Sequence, residues 1–294
     1  MKYVDLAQVE KKMNSRILLN KIAKNMFIMA AFFGLLVLVV LIADVFSKSL
    51  GWINTDFLTG RYSNDASKAG IMGAILGTLW LMAVVAPVTM FLGVGTAIYL
   101  EEYAKKGKVR SFIQTNIANL AGVPSVVFGI LGLTIFVRNF DLGSVVLAGG
   151  LTMALLVLPI VVVASQEAIR SVPQYLREAS YGMGATKWQT IMRVVLPASI
   201  AGILTGLILS LSRSIGETAP LIVLGIPALL IPFPGGIFDR FTILPMQIYY
   251  WTIDAALVAE YANLAAATIL VLLVVLFTMN SFAIIIRNKF QKRY

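Results

Sequence analysis

The sequence contains no cysteine and no histidine, and only 13% of its 294 residues are charged. Without cysteine the chain has no disulfides, thiolate nucleophiles or cysteine-bound zinc, and without histidine it has no imidazole proton relay. Any chemistry that uses charge must therefore come from fourteen carboxylates, twenty-four basic side chains and backbone dipoles. We expect neither catalytic residues nor a metal site in this chain.

Charge is scarce because the chain is apolar, with 59% hydrophobic residues. Soluble domains carry about 25% charged residues, so this composition excludes an ordinary soluble fold. About 20 apolar residues cross a hydrocarbon core of ~30 Å. Runs of that length lie near 25–46, 70–100, 112–137, 144–165, 198–223 and 262–286. The sequence predicts an all-α polytopic membrane protein with six transmembrane helices.

Basic residues fall on alternate sides of these spans. Eighteen lie in the tail up to residue 26, in 101–111, in 166–197 and in the tail from 287, against five in the other loops. Such an excess marks cytoplasmic segments, so both termini and the 101–111 and 166–197 segments are predicted to be cytoplasmic. The net charge of +10 reflects this asymmetry and anionic headgroups rather than nucleic-acid binding.

The chain divides by composition into four parts. We expect a cytoplasmic tail over 1–24, an uncleaved first helix with its outer loop over 25–69, a transmembrane domain over 70–286 and a second cytoplasmic tail over 287–294. Two glycine pairs at four-residue spacing, Gly73 with Gly77 and Gly202 with Gly206, favour close helix packing in that domain.

The outer segment 226–260 is apolar but is interrupted by four prolines and two adjacent glycines. It is not predicted to span as one helix. Its Tyr249, Tyr250 and Trp251 suit a membrane interface. We expect it to cap the bundle, and alternatively to roof a passage or meet an outer binding protein.

The cytoplasmic segment 166–197 differs from a plain connector. Ser171 with Gln174 and Thr186 with Gln189 each have the spacing of a helix N-cap, with Gly182 and Gly184 between them. Both predicted helices are too short and polar to span, and Pro197 is expected to end the second where the fifth span begins. We predict a two-helix elbow that offers a docking surface.

The elbow carries a recognisable motif. Glu178, Ala179 and Ser180, then Gly184, then Val194, Leu196 and Pro197 stand at the spacing of the E-A-A, three residues, G, nine residues, I-x-L-P pattern. The chain therefore resembles permease subunits of bacterial and archaeal ABC importers, multi-pass proteins of the cell membrane. Ser180, in place of the second alanine, is a departure that keeps a small residue.

That resemblance implies that the elbow is a coupling helix, seated in a groove of an ATP-binding subunit. The implied coupling residues are Glu178, Ala179, Ser180, Gly184, Leu196 and Pro197. Gly184 would let the chain turn without a Cβ, and Glu178 would offer a charge to the ATPase. Glu178 can alternatively be a solvated helix charge.

Other stretches resemble one branch of these permeases. NLAGVPSVVFGILG at 119–132, RSIGETAPLIVLG at 213–225 and LPMQIYYW at 244–251 are similar to phosphate importers, and GETAPL is similar to PstA permeases rather than to PstC. The resemblance covers roughly 70–286. It implies a PstC-like companion permease, a PstB-like ATPase homodimer, a PstS-like phosphate-binding protein and inorganic phosphate as substrate.

Arg213 is a formal charge inside the fifth predicted span. About 15 residues from Ala198, it lies ~22 Å along a helix, around or just beyond the bilayer middle, where a charge costs at least ~2.5 to 3.5 kcal/mol. We expect Arg213 to contact an anion transiently and Glu217, four residues on, to moderate its grip. Candidate polar lining is provided by Ser210, Ser212, Ser214 and Thr218. The alternative is that Arg213 and Glu217 form a structural ion pair, or that Arg213 bonds the companion permease.

Two glycine-containing stretches are not nucleotide sites. GMGATK at 182–187 lacks the glycine-lysine-Ser/Thr order and preceding strand of a phosphate loop, and GVGTAI at 93–98 lacks the third glycine of a dinucleotide fold. We therefore expect no cofactor on this chain, with ATP and Mg used by the partner ATPase.

Three functions follow from the sequence. The favoured one is a permease of a phosphate ABC importer, which is not itself an enzyme. An ABC importer permease for molybdate, sulfate, phosphonate or an organic solute is the alternative. A secondary transporter or a membrane scaffold is the third, but it would leave the elbow without a motor.

Overall fold

The computed structural model describes residues 6–63, 65–227 and 233–290. The regular structure in these ranges is helical, apart from one isolated antiparallel bridge between Val145 and Arg240. Five helices are long and apolar enough to cross a membrane, and a bent pair brings the number to as many as six. The predicted all-α membrane fold is confirmed.

Eleven helices, with bounds as follows, make up the framework in the described ranges. They are α1 (Leu6–Ser49), α2 (Thr55–Thr59), α3 (Met72–Tyr103), α4 (Lys108–Leu120), α5 (Ser125–Asn139), α6 (Val146–Arg170), α7 (Gln174–Gly182), α8 (Lys187–Ile215), α9 (Ala219–Val223), α10 (Leu244–Asp254) and α11 (Glu260–Phe290). A short 3₁₀ turn, Ala66–Lys68, precedes α3.

Helix α1 begins at Leu6, so most of the predicted tail is helical and continuous with the first span; residues 1–5 lie outside the described ranges. It packs against α11. The predicted C-terminal tail is likewise helical to Phe290, and its last four residues lie outside the description. Within the described residues, the predicted N-terminal tail is therefore part of α1 and the predicted C-terminal tail is part of α11.

The third predicted span contains a sharp bend. Helices α4 and α5 meet at 103° across residues 121–124. Pro124 lies immediately before α5, and a proline disfavours helical backbone in the residue before it. The apolar run predicted over 112–137 is confirmed, and it folds as two helices joined by a sharp bend.

Helices α6 and α8 form the centre of the bundle. A Cβ added to Gly202 would lie 2.8 Å from the Cβ of Ala168, and one added to Gly206 would clash with Ala164. The two backbones therefore approach as closely as small residues allow, as the glycine spacing predicts. The two helices are antiparallel: moving four residues forward along α8, from Gly202 to Gly206, corresponds to moving four residues back along α6, from Ala168 to Ala164.

The outer segment caps the bundle where it is described; residues 228–232 lie outside the described ranges. Phe241, Ile243 and Met246 are buried in the main core. Trp251 is also fully buried, with its ring 6.2 Å from that of Phe57 and 6.4 Å from that of Tyr62. The expectation that Trp251 lies at the membrane interface is wrong, because α2 and the first loop cover it.

Enlarging Gly206 tests the register of α6 and α8. The Gly206→Val change is expected to destabilise the protein by about 1–3 kcal/mol, because the added methyls meet Ala164 across a closed interface. The measurement is the midpoint of thermal unfolding in detergent. Gly34→Val is the matched control, since a Cβ at Gly34 meets no atom within 4 Å. Equal midpoints for the two variants would contradict the close packing.

Candidate coupling elbow and buried-charge site

The elbow consists of α7, a glycine turn and the start of α8. After α7, the Gly184 N–H donates to the Tyr181 carbonyl at 2.9 Å and the Ala185 N–H to the Ser180 carbonyl at 3.1 Å. These bonds close only because Gly184 has φ +82°, a conformation that side chains with a Cβ rarely adopt. The chain then reverses into α8.

The predicted cap at Thr186 is confirmed. Its hydroxyl accepts from the Gln189 N–H, and the Gln189 side chain accepts from the Thr186 N–H. The predicted cap at Ser171 is wrong. The Ser171 hydroxyl donates instead to the Ala168 carbonyl at the end of α6, and α7 begins after Pro173 without a side-chain cap.

The surface of α7 is open, with no residue of the helix buried. Glu178 and Ala179 are exposed, as are Tyr175 and Gly184. Met183 at the tip leaves 88% of its surface uncovered. An apolar tip beside an exposed carboxylate, projecting from the bundle, is a surface suited to docking a protein.

Ser180 has a partner inside the elbow. Its hydroxyl lies 2.9 Å from that of Thr190, so a hydrogen bond joins α7 to the first turn of α8. An alanine at this position could not make that bond. The serine that departs from the motif is thus part of the hydrogen bonding that holds the elbow's two helices together.

Leu196 and Pro197 lie within α8, not at its start, because the helix runs without a break from Lys187 to Ile215. The expectation that Pro197 ends the second elbow helix is wrong. A π-helical stretch, Ile191–Val195, precedes the proline, and such a wide turn accommodates the hydrogen bond that proline cannot make. The elbow's second helix and the fifth span are therefore one rod.

A cluster of acidic and basic side chains anchors the elbow to α3 and α6. The Glu101 carboxylate accepts from Arg110 at 3.0 Å, from Arg170 at 2.7 Å and from Gln166 at 2.7 Å. Only 8% of the Glu101 side chain is exposed. A buried carboxylate is stable only when partners satisfy it, and these three come from α4 and α6.

Glu102 holds α7 in the same way. Its carboxylate accepts from Arg177 at 3.2 Å, and Arg177 also donates to the carbonyls of Val172 at 2.6 Å and Ile169 at 2.9 Å. Lys187 adds a cation 5.0 Å from the centre of the Tyr103 ring. The end of α3 therefore contacts both helices of the elbow.

These side chains border a polar cleft of ≈ 360 Å³ between α3, α6 and the elbow. Sequence reasoning missed Glu101 and Glu102. The available signal was a pair of adjacent carboxylates at the end of an apolar run in a chain poor in acids. No cluster of three metal-ligating side chains occurs among the residues whose structure is described.

Arg213 and Glu217 lie at the other end of α8. Extending the register of Gly206 opposite Ala164 by seven residues puts Arg213 level with about Val157, near the middle of α6. The Arg213 side chain is 62% exposed and that of Glu217 is 24% exposed. Helix α8 ends at Ile215, so the two do not share one continuous helix.

Their charges lie together without a hydrogen bond. Arg213 Nε is 3.7 Å from Glu217 Oε1, which is an ion pair but longer than a normal N–H···O bond. Within the described residues the guanidinium makes no hydrogen bond, so its donors are free while a carboxylate balances its charge. Such a group can bind an anion and release it.

The candidate serines are more covered than Arg213, and two of them have partners elsewhere. Ser210 and Ser214 are buried; the Ser210 hydroxyl donates to Gly206, and that of Ser214 finds no partner in the described part of the chain. Ser212 lies 2.6 Å from Asn280 of α11, and Thr218 immediately precedes α9. Of the candidate residues, all of which lie in the described ranges, Glu217 is the one that forms an ion pair with Arg213.

Helices long and apolar enough to cross a membrane, an open elbow at one end and a charged pair at the other end of α8 are features typical of an integral-membrane transport subunit. A family model for "Binding-protein-dependent transport system inner membrane component" matches residues 90–293. The chain belongs to this family.

Individual relatives agree with the family. The chain is 34% identical over 208 residues to the probable ABC transporter permease protein YqgI of Bacillus subtilis, covering 71% of each chain. It is 28% identical to the phosphate transport system permease protein PstA of Xylella fastidiosa, covering 93% and 95%. It is 41% identical to PstA 1 of Mycobacterium tuberculosis over 53% of this chain and about half (51%) of that protein.

Solved structures show the same fold. A chain of a bacterial alginate ABC transporter superposes with a TM-score of 0.65 at 18% identity, covering 93% of this chain and 94% of its own. A chain of the MetNI methionine ABC transporter superposes with a TM-score of 0.59 at 15% identity, covering 76% and 96%.

Removing the Glu101 charge tests the anchor. The Glu101→Gln change should loosen the packing of α3 against α4 and against the end of α6, from which the elbow follows, by about 3 kcal/mol, because Arg110 stays largely buried without its counter-charge. Faster hydrogen exchange of the 166–182 amides in the purified protein measures the loosening. Glu167→Gln is the control, since its exposed pair with the same Arg170 should contribute less than about 1 kcal/mol. Equal exchange in both variants would contradict the anchoring role.

Proposed function

We propose that this chain is a membrane permease subunit of an ATP-driven phosphate importer. It forms the translocation pathway with a PstC-like permease. A PstB-like ATPase homodimer docks on the elbow, and a PstS-like binding protein delivers phosphate from outside. The elbow end is cytoplasmic, together with both termini, and ATP is hydrolysed in the partner subunit.

One observation carries this proposal: α8 is one continuous helix with the exposed elbow at one end and the exposed guanidinium of Arg213 near the other. From Lys187 to Arg213 the rod measures ~39 Å at 1.5 Å per residue. A displacement of the elbow by an ATPase therefore moves the guanidinium directly. The PstA relatives, one of them aligned over 93% of this chain, support phosphate as the substrate.

The pathway role of Arg213 rests on its exposure and its loose pairing. A structural ion pair would be expected to close to hydrogen-bonding distance and to be covered, whereas this one is 3.7 Å long with the arginine largely open. Phosphate matches a guanidinium in charge and geometry, and Glu217 keeps the complex weak enough to dissociate. Ser210, Ser214 and Thr218 remain candidate lining residues of the assembled pathway.

The coupling role belongs to Glu178, Ala179, Ser180, Gly184, Leu196 and Pro197 in two groups. Glu178, Ala179 and Gly184 are exposed around the Met183 tip, where an ATPase can bind. Ser180, Leu196 and Pro197 are partly covered and act within the elbow and the rod. The first group recognises the partner, and the second transmits its movement.

Replacing Arg213 tests the pathway. In the Arg213→Gln variant, phosphate uptake should fall to the background rate while the assembled complex still forms. The glutamine amide has no positive charge and cannot donate the two parallel hydrogen bonds of a guanidinium. Uptake of labelled phosphate into vesicles and co-purification of the subunits measure the two effects. Arg213→Lys should retain part of the activity. Loss of assembly in Arg213→Gln would favour the structural ion pair.

A side chain at Gly184 tests the coupling. The Gly184→Val variant should weaken ATPase recruitment and uptake together, because φ +82° is strained for a β-branched residue by about 1–2 kcal/mol or more. Gly182→Val is the matched control: both glycines have open space around a Cβ, but only Gly184 has positive φ. Unchanged recruitment and uptake in Gly184→Val would refute the docking assignment.

A further inference from the structure

The polar cleft of ≈ 360 Å³ lies where the ends of α3 and α6 meet the two helices of the elbow. We call it the elbow cleft. Its size falls within the ~300–1,000 Å³ of small-molecule sites. Among the described residues that line it, all but Ile169 are polar or charged, and they come from all four helices. A ligand in the elbow cleft would therefore touch each element that joins the elbow to the bundle.

The elbow cleft and the docking surface lie on different faces of α7. Gln174, Arg177 and Tyr181 line the cleft, and their i, i+3, i+7 spacing places them on one face of the helix. Glu178 of the docking surface directly follows Arg177, so it projects about 100° further round the helix. A protein bound to the docking surface therefore does not by itself fill the cleft.

The carboxylates of the elbow cleft already have partners. Glu101 accepts three hydrogen bonds, and Glu102 accepts one from Arg177. Their side chains are only 8% and 9% exposed. A metal cation would have to displace an arginine from either carboxylate, so the cleft is not suited to a cation.

Several hydrogen-bond donors in the elbow cleft have no acceptor. Within the described residues the Lys187 ammonium forms no ion pair, and the side chains of Gln174 and Tyr181 form no hydrogen bond. The Tyr103 ring, 5.0 Å from the Lys187 ammonium, positions that cation without neutralising it. Arg170 already donates to two carboxylates, but 45% of its side chain is exposed and can donate outward as well. Spare donors beside occupied carboxylates favour an anionic ligand.

The surroundings of the elbow cleft are positively charged. Lys105, Lys106 and Lys108 follow Glu102 in the chain, are exposed and form no ion pair within the described ranges. Against them stands the exposed carboxylate of Glu178 on the docking surface. A local excess of positive charge raises the concentration of anions at such a cleft.

An oxyanion of the phosphate class matches these donors. Its oxygens point in four directions, so one ion can accept from Lys187, Arg170 and Tyr181 on three different helices. Guanidinium and ammonium groups are the side chains that bind such anions most strongly in proteins. A carboxylate has only two oxygens in one plane and reaches fewer of these donors.

We propose that the elbow cleft binds a phosphate-class oxyanion, with Lys187, Arg170 and Tyr181 as its ligands. The anion bridges α6, α7 and α8 and so makes the elbow more rigid. This site is separate from Arg213, which lies in the last turn of α8. That the cleft opens to the cytoplasm, where transported phosphate is released, rests on the proposed function, whereas the binding chemistry does not.

Hydrogen exchange at the elbow tests the binding. The full chain carrying Arg213→Gln, which removes the proposed pathway contact, is titrated with inorganic phosphate at constant ionic strength in phosphatidylcholine nanodiscs. At about ten times the dissociation constant, exchange of the 174–190 amides should slow about tenfold and then saturate with occupancy of the site. Chloride at the same ionic strength should leave the exchange unchanged. Exchange that does not respond to phosphate, or that responds equally to chloride, would overturn the proposal.

Two variants test the ligands. Lys187→Gln should weaken phosphate binding about tenfold, since it removes one charge-assisted hydrogen bond, and Tyr181→Phe should weaken it about fivefold. Lys105→Gln is the matched control, because it removes the same charge from an exposed lysine outside the lining of the cleft. Its effect should stay within about twofold, as expected for a screened surface charge. Equal losses in the two lysine variants would show diffuse attraction of anions and would overturn the assigned ligands.

The source of the phosphate group is tested in the same assay. In nanodiscs that contain phosphatidylglycerol, inorganic phosphate should slow the exchange as it does in phosphatidylcholine. Protection of the 174–190 amides by phosphatidylglycerol alone, with no further response to inorganic phosphate, would identify a lipid headgroup and overturn the free ion. None of these readouts measures transport, so a failure here is distinct from a failure of the proposed function.

Discussion

The close contact between α6 and α8 is the constraint on which the remaining structure depends. Gly202 and Gly206 let α8 approach Ala168 and Ala164 so closely that the register of the two helices is fixed. That register sets the position of Arg213 relative to α6 near one end of α8 and the position of the elbow at the other. In a membrane, where apolar contact with lipid competes with apolar contact with protein, such close packing is a main source of helix association.

The second constraint is electrostatic and lies at the elbow end. Glu101 and Glu102 extend the end of α3 into a set of bonds with α4, α6 and α7. Buried ion pairs add little net stability, but breaking one is costly, so they hold a specific geometry. The elbow is thereby fixed to α3 and α6, and α4 joins the same cluster through Arg110. These bonds connect α7 to the bundle by a route that does not pass through the Gly184 turn.

The sequence predicts features set by local chemistry. The spans follow from hydropathy, the Thr186 cap from its spacing to Gln189, and the turn from Gly184. The prediction fails where a side chain has two possible hydrogen-bond partners. The Ser171 hydroxyl donates to the Ala168 carbonyl at the end of α6 and does not cap the N-terminus of α7. It also fails at Pro197, because a π-helical stretch can absorb a proline that an ideal α-helix cannot.

Long-range partners are beyond such reasoning. Glu101 meets Arg170 across 69 residues and Ser212 meets Asn280 across 68, and neither spacing has a local signature. For Arg213, the sequence shows that burying its charge in lipid is energetically unfavourable, but it does not show which side chains surround it. In the folded chain it lies in the last turn of α8, where the negative end of the helix dipole favours a cation, with Glu217 just beyond. The helix dipole and the Glu217 carboxylate each stabilise the positive charge in part. Among the described residues neither occupies the guanidinium donors, which is the condition for an anion to bind and leave.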